Sequence, residues 1–260
     1  MKKVIITGAG SGIGKEFTKL YLEEGSRVLA VSLVQEELDQ LPEDFRFGSA
    51  RLQTLQMDLS KPDAATTLLQ WCTDNDWLPD VLINNAGFAC FGESVDLAPD
   101  RVANMLELNI VSLTMMSMTF GKVMKERRSG SILNVGSTAG MVPSTRFASY
   151  GASKSYVNSY TFALAAELKP HGVTVTCLTP GATQTKFSQA GGIDDFTGKS
   201  LLGNMFAKNK AGSPVEVARA GYDALAAGKT HALVGKGALA ASLMSRLISQ
   251  KRLPTLVKNP

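Results

Sequence analysis

The chain has 260 residues, with 27 basic and 23 acidic side chains and a net charge of +4. That balance excludes a charge-driven nucleic-acid binder, and the basic stretches at 122–128 and 246–258 read as solvated faces. Hydrophobic residues, at 44%, suffice for a sizeable α/β core, and no apolar run approaches the ~18 residues of a membrane span.

Lys2 and Lys3 lead straight into the first predicted strand, residues 4–7, which predicts a chain without a leader and a cytoplasmic location. The strand runs into Gly8, Gly10, Ser11, Gly12, Ile13 and Gly14, and a helical stripe of Ile13, Phe17, Leu20 and Tyr21 follows. Strand, glycine turn and helix start together form a place for a pyrophosphate. Glycines let the backbone come close, and the helix N-terminus offers free N–H groups and a positive dipole end. A tight strand-to-helix connection without a ligand is the plain alternative.

Further strands are predicted at 27–32, 52–57, 80–84, 131–135, 173–178 and 232–234. Helices are predicted at 14–24, 35–41, 62–75, 99–125, 150–168, 214–227 and 238–250. Several strands are nearly continuous apolar runs, as in a parallel sheet covered on both faces. The alternation predicts an α/β fold: a doubly wound parallel sheet (a Rossmann fold) of about seven strands with helices on both faces, as one domain over 1–260. Residues 186–212 break the pattern, with glycines spaced among Phe187, Phe196, Leu201, Leu202, Met205 and Phe206. They read as a substrate lid or as a pair of short packed helices. The C-terminal extension 238–260 carries a stripe of Leu239, Leu243, Leu247 and Ile248 beside Arg246, Lys251 and Arg252. Packing on its own domain or on a second subunit is the commoner use of such a helix; contact with a membrane surface is the alternative.

Tyr150 and Lys154 stand four residues apart, so a helix stacks them on one face. A cation beside the phenol is expected to lower its pKa and to ready it for proton transfer with an alcohol or carbonyl oxygen. Any Tyr can have a Lys four places on by chance, so the pair gains weight only from its companions. Cys72, Cys90 and Cys177 are far apart and read as small buried residues in a reducing compartment. His171 and His231 have no clustered partners, which argues against a metal site or a histidine-based triad.

The motifs occur in one order. Thr7-Gly8-x-x-x-Gly12-x-Gly14 ends the first strand, and Asn84-Asn85-Ala86-Gly87 ends the fourth. Asn109 lies in the helix behind, Ser137 follows the fifth strand, Tyr150-x-x-x-Lys154 comes 13 residues later, and Pro180-Gly181-Ala182-Thr183-Gln184-Thr185 follows the sixth. This ordered set resembles the short-chain dehydrogenase/reductase family, in its single-domain subgroup, over about residues 3 to 235. The resemblance implies an NAD(P)-dependent oxidoreductase acting on a small-molecule ketone or alcohol. It implies Asn109, Ser137, Tyr150 and Lys154 as the catalytic four. Tyr150 would be the acid or base, Ser137 would hold the substrate oxygen, and Asn109 would anchor a water relay toward Lys154. It implies cofactor contacts from Gly8, Gly10, Ser11, Gly12, Ile13, Gly14, Ser32, Asp58, Leu59, Asn85, Ala86, Gly87, Tyr150, Lys154, Pro180, Gly181, Thr183 and Thr185. Asp58 also reads as a helix cap or turn residue, Asn84 as a strand-pairing group, and Asn109 as a helix bend or buried amide cap.

Family habit also implies a homodimer or homotetramer built on helices 99–125 and 150–168. An NAD enzyme of the family has an acid at the Ser32 position; an NADP enzyme has Arg at the Leu33 position or a base at Ser11. The chain has none of these, and the missing carboxylate favours NADP(H), with Lys15 and Arg51 as candidate charge partners. The pocket is expected from Ala89, Cys90, Phe91, 138–142, Phe147 and the 186–212 segment. These are mostly apolar and suit a lipophilic substrate. A non-catalytic NAD(P)-binding sensor or scaffold of the same fold is the alternative. An extended-subgroup epimerase is excluded by glycine spacing and length.

Overall fold

The computed structural model describes residues 1–45, 51–183, 212–235 and 237–256. Seven strands form one sheet in the order β3-β2-β1-β4-β5-β6-β7, and every pairing is parallel. They are β1 (Lys3–Thr7), β2 (Arg27–Ser32), β3 (Leu52–Gln56), β4 (Val81–Asn84), β5 (Gly130–Val135), β6 (Val173–Pro180) and β7 (His231–Val234). The helices are α1 (Gly12–Glu23), α2 (Gln35–Asp44), α3 (Ala64–Asp74), α4 (Pro99–Leu106), α5 (Leu113–Glu126), α6 (Ala148–Leu168), α7 (Pro214–Ala226), α8 (Ala238–Leu247) and α9 (Leu253–Leu256). This is the doubly wound α/β sheet that the alternation predicts.

Strand side chains alternate between two apolar layers, because successive residues of a strand point to opposite faces. Val4, Ile6, Val28, Ala30, Ile83, Leu133 and Leu178 pack with Phe17, Leu20 and Tyr21 of α1, Leu38 and Leu41 of α2, and Val217 and Ala218 of α7. Ile5, Leu29, Val31, Leu82, Ile132 and Val175 face the other way, onto Leu68 of α3, Met116 and Phe120 of α5 and Leu164 of α6. A fully buried leucine is worth about 1.5–3 kcal/mol over an exposed one, so these two layers dominate the stability of the sheet.

Chain order reverses between β1 and β4, where the strands part to opposite sides. In open parallel sheets the crevice beyond the strand C-termini at such a switch is where ligands bind. The predicted helix 99–125 is not continuous. A six-residue π-helical segment, Glu107–Ser112, separates α4 from α5, and Asn109 is its one buried residue. Single π turns inside helices are rare and cluster at functional sites.

Candidate active site

The glycine turn after β1 is shaped by close backbone approach. Gly8 has φ +61, a left-handed conformation that L side chains rarely adopt. A Cβ on Gly14 would overlap the carbonyl oxygen of Gly8, so only glycine lets α1 start this close to β1. Ser11 is the N-cap of α1, yet its side chain makes no cap hydrogen bond, which leaves the first-turn N–H groups to an anion. Gly12 and Ile13 open that first turn.

The chain after β4 is laced to this turn. Thr7 Oγ1 donates to the Ile83 carbonyl (3.2 Å) and accepts from the N–H groups of Asn85 (2.9 Å) and Ala86 (3.0 Å). Asn85 Nδ2 donates to the carbonyls of Thr7 (2.9 Å) and Gly8 (3.1 Å). Its side chain therefore braces the cradle from below. Asn84 turns away from the crevice: its Nδ2 donates to Ser117 Oγ and Asn134 Oδ1 in a buried network between β4, β5 and α5. This network matches the strand-pairing reading of Asn84.

Ser137 follows β5 and caps the short 3-10 turn Thr138–Gly140, its Oγ accepting from Ala139 N at 3.1 Å. A Cβ on Gly140 would strike the backbone of Lys154, so this turn rests directly on α6. Along α6, Tyr150, Lys154 and Asn158 are spaced by four and share one buried face. Asn158 Nδ2 donates to the Ser137 carbonyl at 3.1 Å and fixes the serine's backbone. Lys154 Nζ donates to the Val135 carbonyl at 2.8 Å. Tyr150 is 7% exposed and hydrogen-bonds with Ser137. Ser137, Tyr150 and Lys154 are thus brought together at the end of β5.

The electrostatics differ from the expectation for the pair. Burial pushes the Tyr150 phenol up to about 12, and the group that opposes this is the hydrogen-bonded Ser137. Burial likewise pushes Lys154 down to about 8, partly offset by Cys177. The ammonium is anchored to the Val135 carbonyl, and desolvation outweighs any help it lends the phenol.

Asn109 completes the cluster from the π segment. Its Oδ1 accepts from Phe88 N (3.1 Å), and its Nδ2 donates to the Phe88 carbonyl (3.0 Å) and to Ser153 Oγ (3.2 Å). Ser153 Oγ in turn donates to the Tyr150 carbonyl at 2.7 Å. The amide therefore clamps the strap after Gly87 onto α6. A Cβ on Gly87 would meet Asn109 Oδ1 at 2.7 Å and Lys154 Nζ at 3.7 Å. Gly87 keeps open the space that the two polar groups face.

Aromatic rings wall the approach to Tyr150. Phe147 stacks obliquely on Phe91 (4.9 Å) and on Tyr150 (5.8 Å), with Ala89, Cys90 and Met105 buried behind. Arg146 lies over the Phe91 ring at 5.4 Å, at the edge of this wall.

The adenosine side departs further from expectation. Lys15 pairs with Asp44 (2.5 Å), and Arg51 Nη1 donates to the Leu22 carbonyl (3.1 Å), so neither candidate charge partner points at Ser32. Glu37, in the first turn of α2, comes there instead. A Cβ on Gly10 would meet Glu37 Cβ at 2.6 Å, its Oε2 at 2.8 Å and Ser32 Oγ at 3.4 Å. Sequence reasoning missed Glu37 because it looked for the acid at the end of β2. The available signal was an acid one helical turn beyond it.

Asp58 uses its Oδ1 on Ser60 N (3.0 Å) and Ser60 Oγ (2.6 Å), with Lys61 3.6 Å from its other oxygen. These partners, Ser60 first, hold its carboxyl below the usual range, so the side chain closes a turn. Leu59 beside it is buried. Pro180 ends β6, Gly181 N donates to Val234 O, and Thr183 Oγ1 donates to Gly181 O. Thr183 also bridges to Gly212 beyond β6. Thr185 and all of the expected lid except Gly212 lie outside the described residues. Cys72, Cys90 and Cys177 are buried free thiols. Among the described residues, no three His, Cys, Asp or Glu side chains are grouped to hold a metal.

The family model for short chain dehydrogenases matches residues 2–194. A 3-oxoacyl-[acyl-carrier-protein] reductase of Vibrio cholerae is 28% identical over 219 residues, covering 84% of this chain and 87% of that one. An NADP-dependent 3-hydroxy acid dehydrogenase of Escherichia coli is 32% identical over 192 residues, 71% and 74% of the two chains. A short-chain dehydrogenase of Sphingobium yanoikuyae, solved in complex with NADPH, superposes with a TM-score of 0.77 at 25% identity, over 89% of this chain and 87% of that one. With the glycine cradle, the Ser137–Tyr150–Lys154 cluster and these matches in agreement, the chain belongs to the short chain dehydrogenase family of oxidoreductases.

Proposed function

We propose that one domain spanning 1–260 transfers a hydride between NADP(H) and a lipophilic ketone or alcohol, with Tyr150 as the general acid of reduction. The observation that carries this is the buried Tyr150 hydroxyl bonded with Ser137 while Lys154 is anchored beneath it. A nicotinamide cofactor fits the residues present: the glycine turn makes the room that Gly14 alone permits, and Ser11 leaves the α1 N-terminus uncapped. Gly8 through Gly14, Ala86, Gly87 and Gly181 would hold it, with Thr183 and Thr185 toward the nicotinamide end. When bound, that group supplies or accepts the hydride.

The protein's own part is proton transfer and orientation. A phenol with a pKa of about 12 keeps its proton at neutral pH, so it donates as negative charge grows on a reduced carbonyl oxygen. Ser137 Oγ, capped onto its turn, holds that oxygen. Lys154, with a pKa of about 8, is mostly cationic at pH 7 and steadies the phenolate left behind. Asn109 positions the Phe88 strap and Ser153, and through them the Tyr150 backbone. Phe91 and Phe147 favour an apolar substituent on the substrate. The Vibrio relative is named for a 3-oxoacyl substrate and the Escherichia relative for a 3-hydroxy acid, which supports a 3-oxoacyl compound as the first substrate to try. Exposed Val111, Met115, Met118, Tyr156 and Phe162, on and before α5 and on α6, support a homo-oligomer through those helices.

The absence of an acid at Ser32 and the NADP named for the Escherichia relative favour NADP(H). The Glu37 carboxylate beside Gly10 and Ser32 favours a second reading, NAD(H), because a negative group there accepts from a ribose 2′-OH and repels a 2′-phosphate. Glu37→Gln separates the two. Under the second reading it lowers kcat/KM for NADH by roughly 10- to 100-fold, the worth of a charged hydrogen bond, and raises the NADPH/NADH ratio. An unmoved ratio returns the choice to strand β2.

The activity itself is tested with purified full-length protein, NADPH and NADH, and a panel of 3-oxoacyl thioesters and aryl ketones, followed by absorbance. Turnover that Tyr150→Phe abolishes supports the enzyme. Tight cofactor binding without turnover across the panel turns the reading to the non-catalytic sensor.

A further inference from the structure

We propose that α8 and the segment after it dock on an anionic lipid surface. One face of α8 is already used. Ala238 and Ala241 are buried, and Met244 packs with Val142 and Leu253. The other face is apolar and open: Leu239, Leu243 and Leu247 lie four residues apart and are 67%, 49% and 81% exposed. Four-residue spacing puts them on one line along the helix. A row of three exposed leucines is unusual for a surface with nothing against it.

Charge selects the occupant. After Asp223 the sequence holds no acidic residue, while Lys229, Lys236, Arg246, Lys251, Arg252 and Lys258 are all basic. Arg246 on α8 and Lys251 and Arg252 just after it are exposed. A second copy meeting this face about a two-fold axis would set like charges against like, with no acid in the segment to relieve them. An anionic bilayer offers both things the face lacks, acyl chains for the leucines and headgroup charge for the arginines and lysine. The covered face of α8 rests on Met141 and Val142, directly after the Thr138–Gly140 turn that Ser137 caps. Docking would therefore hold the catalytic turn one packed layer from the membrane, whatever the substrate proves to be.

The experiment is co-sedimentation of the full chain with two kinds of vesicle: phosphatidylcholine alone, and phosphatidylcholine mixed with phosphatidylserine. Binding is expected to the mixed vesicles only and to fall as salt rises. Arg246→Gln, Lys251→Gln and Arg252→Gln together should lower partitioning by roughly 100-fold, since each basic residue near such a surface contributes about a fivefold preference. Leu243→Glu with Leu247→Glu should abolish it. Both sets are exposed, so unchanged thermal melting and unchanged turnover of a water-soluble ketone show that fold and active site survive. Equal pelleting with both vesicle types, or none with either, overturns the proposal. So does a drop in oligomer size for the leucine variant by light scattering, which would give the face to a second copy.

Discussion

The catalytic side and the adenosine side of the crevice are built differently. On the catalytic side the polar groups are buried and held by partners distant in sequence. Asn109 is bonded to Phe88 and Ser153, Asn158 to Ser137, Lys154 to Val135, and Asn134 to Asn84 and Thr161. On the adenosine side the bonds are more exposed, and those of Ser32 and Asp58 reach only two residues along the chain. Ser32 accepts from Val34 N, Asp58 from Ser60, and Lys15 pairs with Asp44 at the surface. Proton transfer needs groups fixed within a fraction of an ångström, which only an interlocked lattice supplies. Cofactor selection needs charge of the right sign nearby, which a single exchangeable side chain supplies.

Substitutions should therefore cost most on the catalytic side. Tyr150→Phe removes the proton donor while leaving its ring against Phe147, so turnover should fall by roughly 10²–10⁴-fold with cofactor affinity retained. Turnover within a few-fold of the parent, with unchanged binding in a fluorescence titration, would take the acid role away from this residue. Gly14→Ala should follow in size. Its methyl meets the Gly8 carbonyl, which a helix start cannot avoid without shifting, and an overpacked site of this kind costs about 1–3 kcal/mol. Calorimetry should show a lower Tm, and cofactor should no longer raise it.

Lys154→Met gives a pH signature. The folded pKa of about 8 lies below the ordinary lysine value of 10.5, so the unfolded chain binds the proton more tightly. The resulting penalty on folding is full below pH 8 and fades as pH rises toward 10.5. The parent should therefore gain stability relative to Lys154→Met across that window, in denaturant titrations at a series of pH values. A flat difference between the two curves would mean that the ammonium is better solvated than its 4% exposure implies. The smallest effect belongs to the adenosine side. Asp58→Asn keeps the bonds from Ser60 but loses the charge on a side chain 34% exposed, so it should change stability by less than about 1 kcal/mol and the NADPH/NADH ratio not at all. A moved ratio would show that Asp58 reaches the adenosine after all, and the contrast between the two sides would narrow.

Much of this was legible in the residues. All seven strands lie within two residues of their expected bounds, and the central ones are nearly unbroken apolar runs because a parallel sheet covered on both faces needs them, whereas β3, at the sheet edge, is half polar. Tyr150 and Lys154 share a face because helical periodicity leaves no other arrangement. A bend or a buried amide cap was among the readings of Asn109, but its π turn and its partner were not legible. Its amide is matched to the backbone of Phe88, 21 residues earlier, and no local pattern announces such a partner. Nor was the high pKa of Tyr150: the nearby lysine was visible, but the depth of burial that outweighs it was not.

Sequence alone determined the order of strands and helices, the family, and which side chains have the chemistry for proton transfer, since these follow from periodicity and residue type. Tertiary structure decided what those side chains are free to do. It anchored the Lys154 ammonium on Val135, closed Asp58 onto its own turn and brought Glu37 over Gly10. Desolvation and hydrogen bonding act through space, and packing alone sets which groups become neighbours.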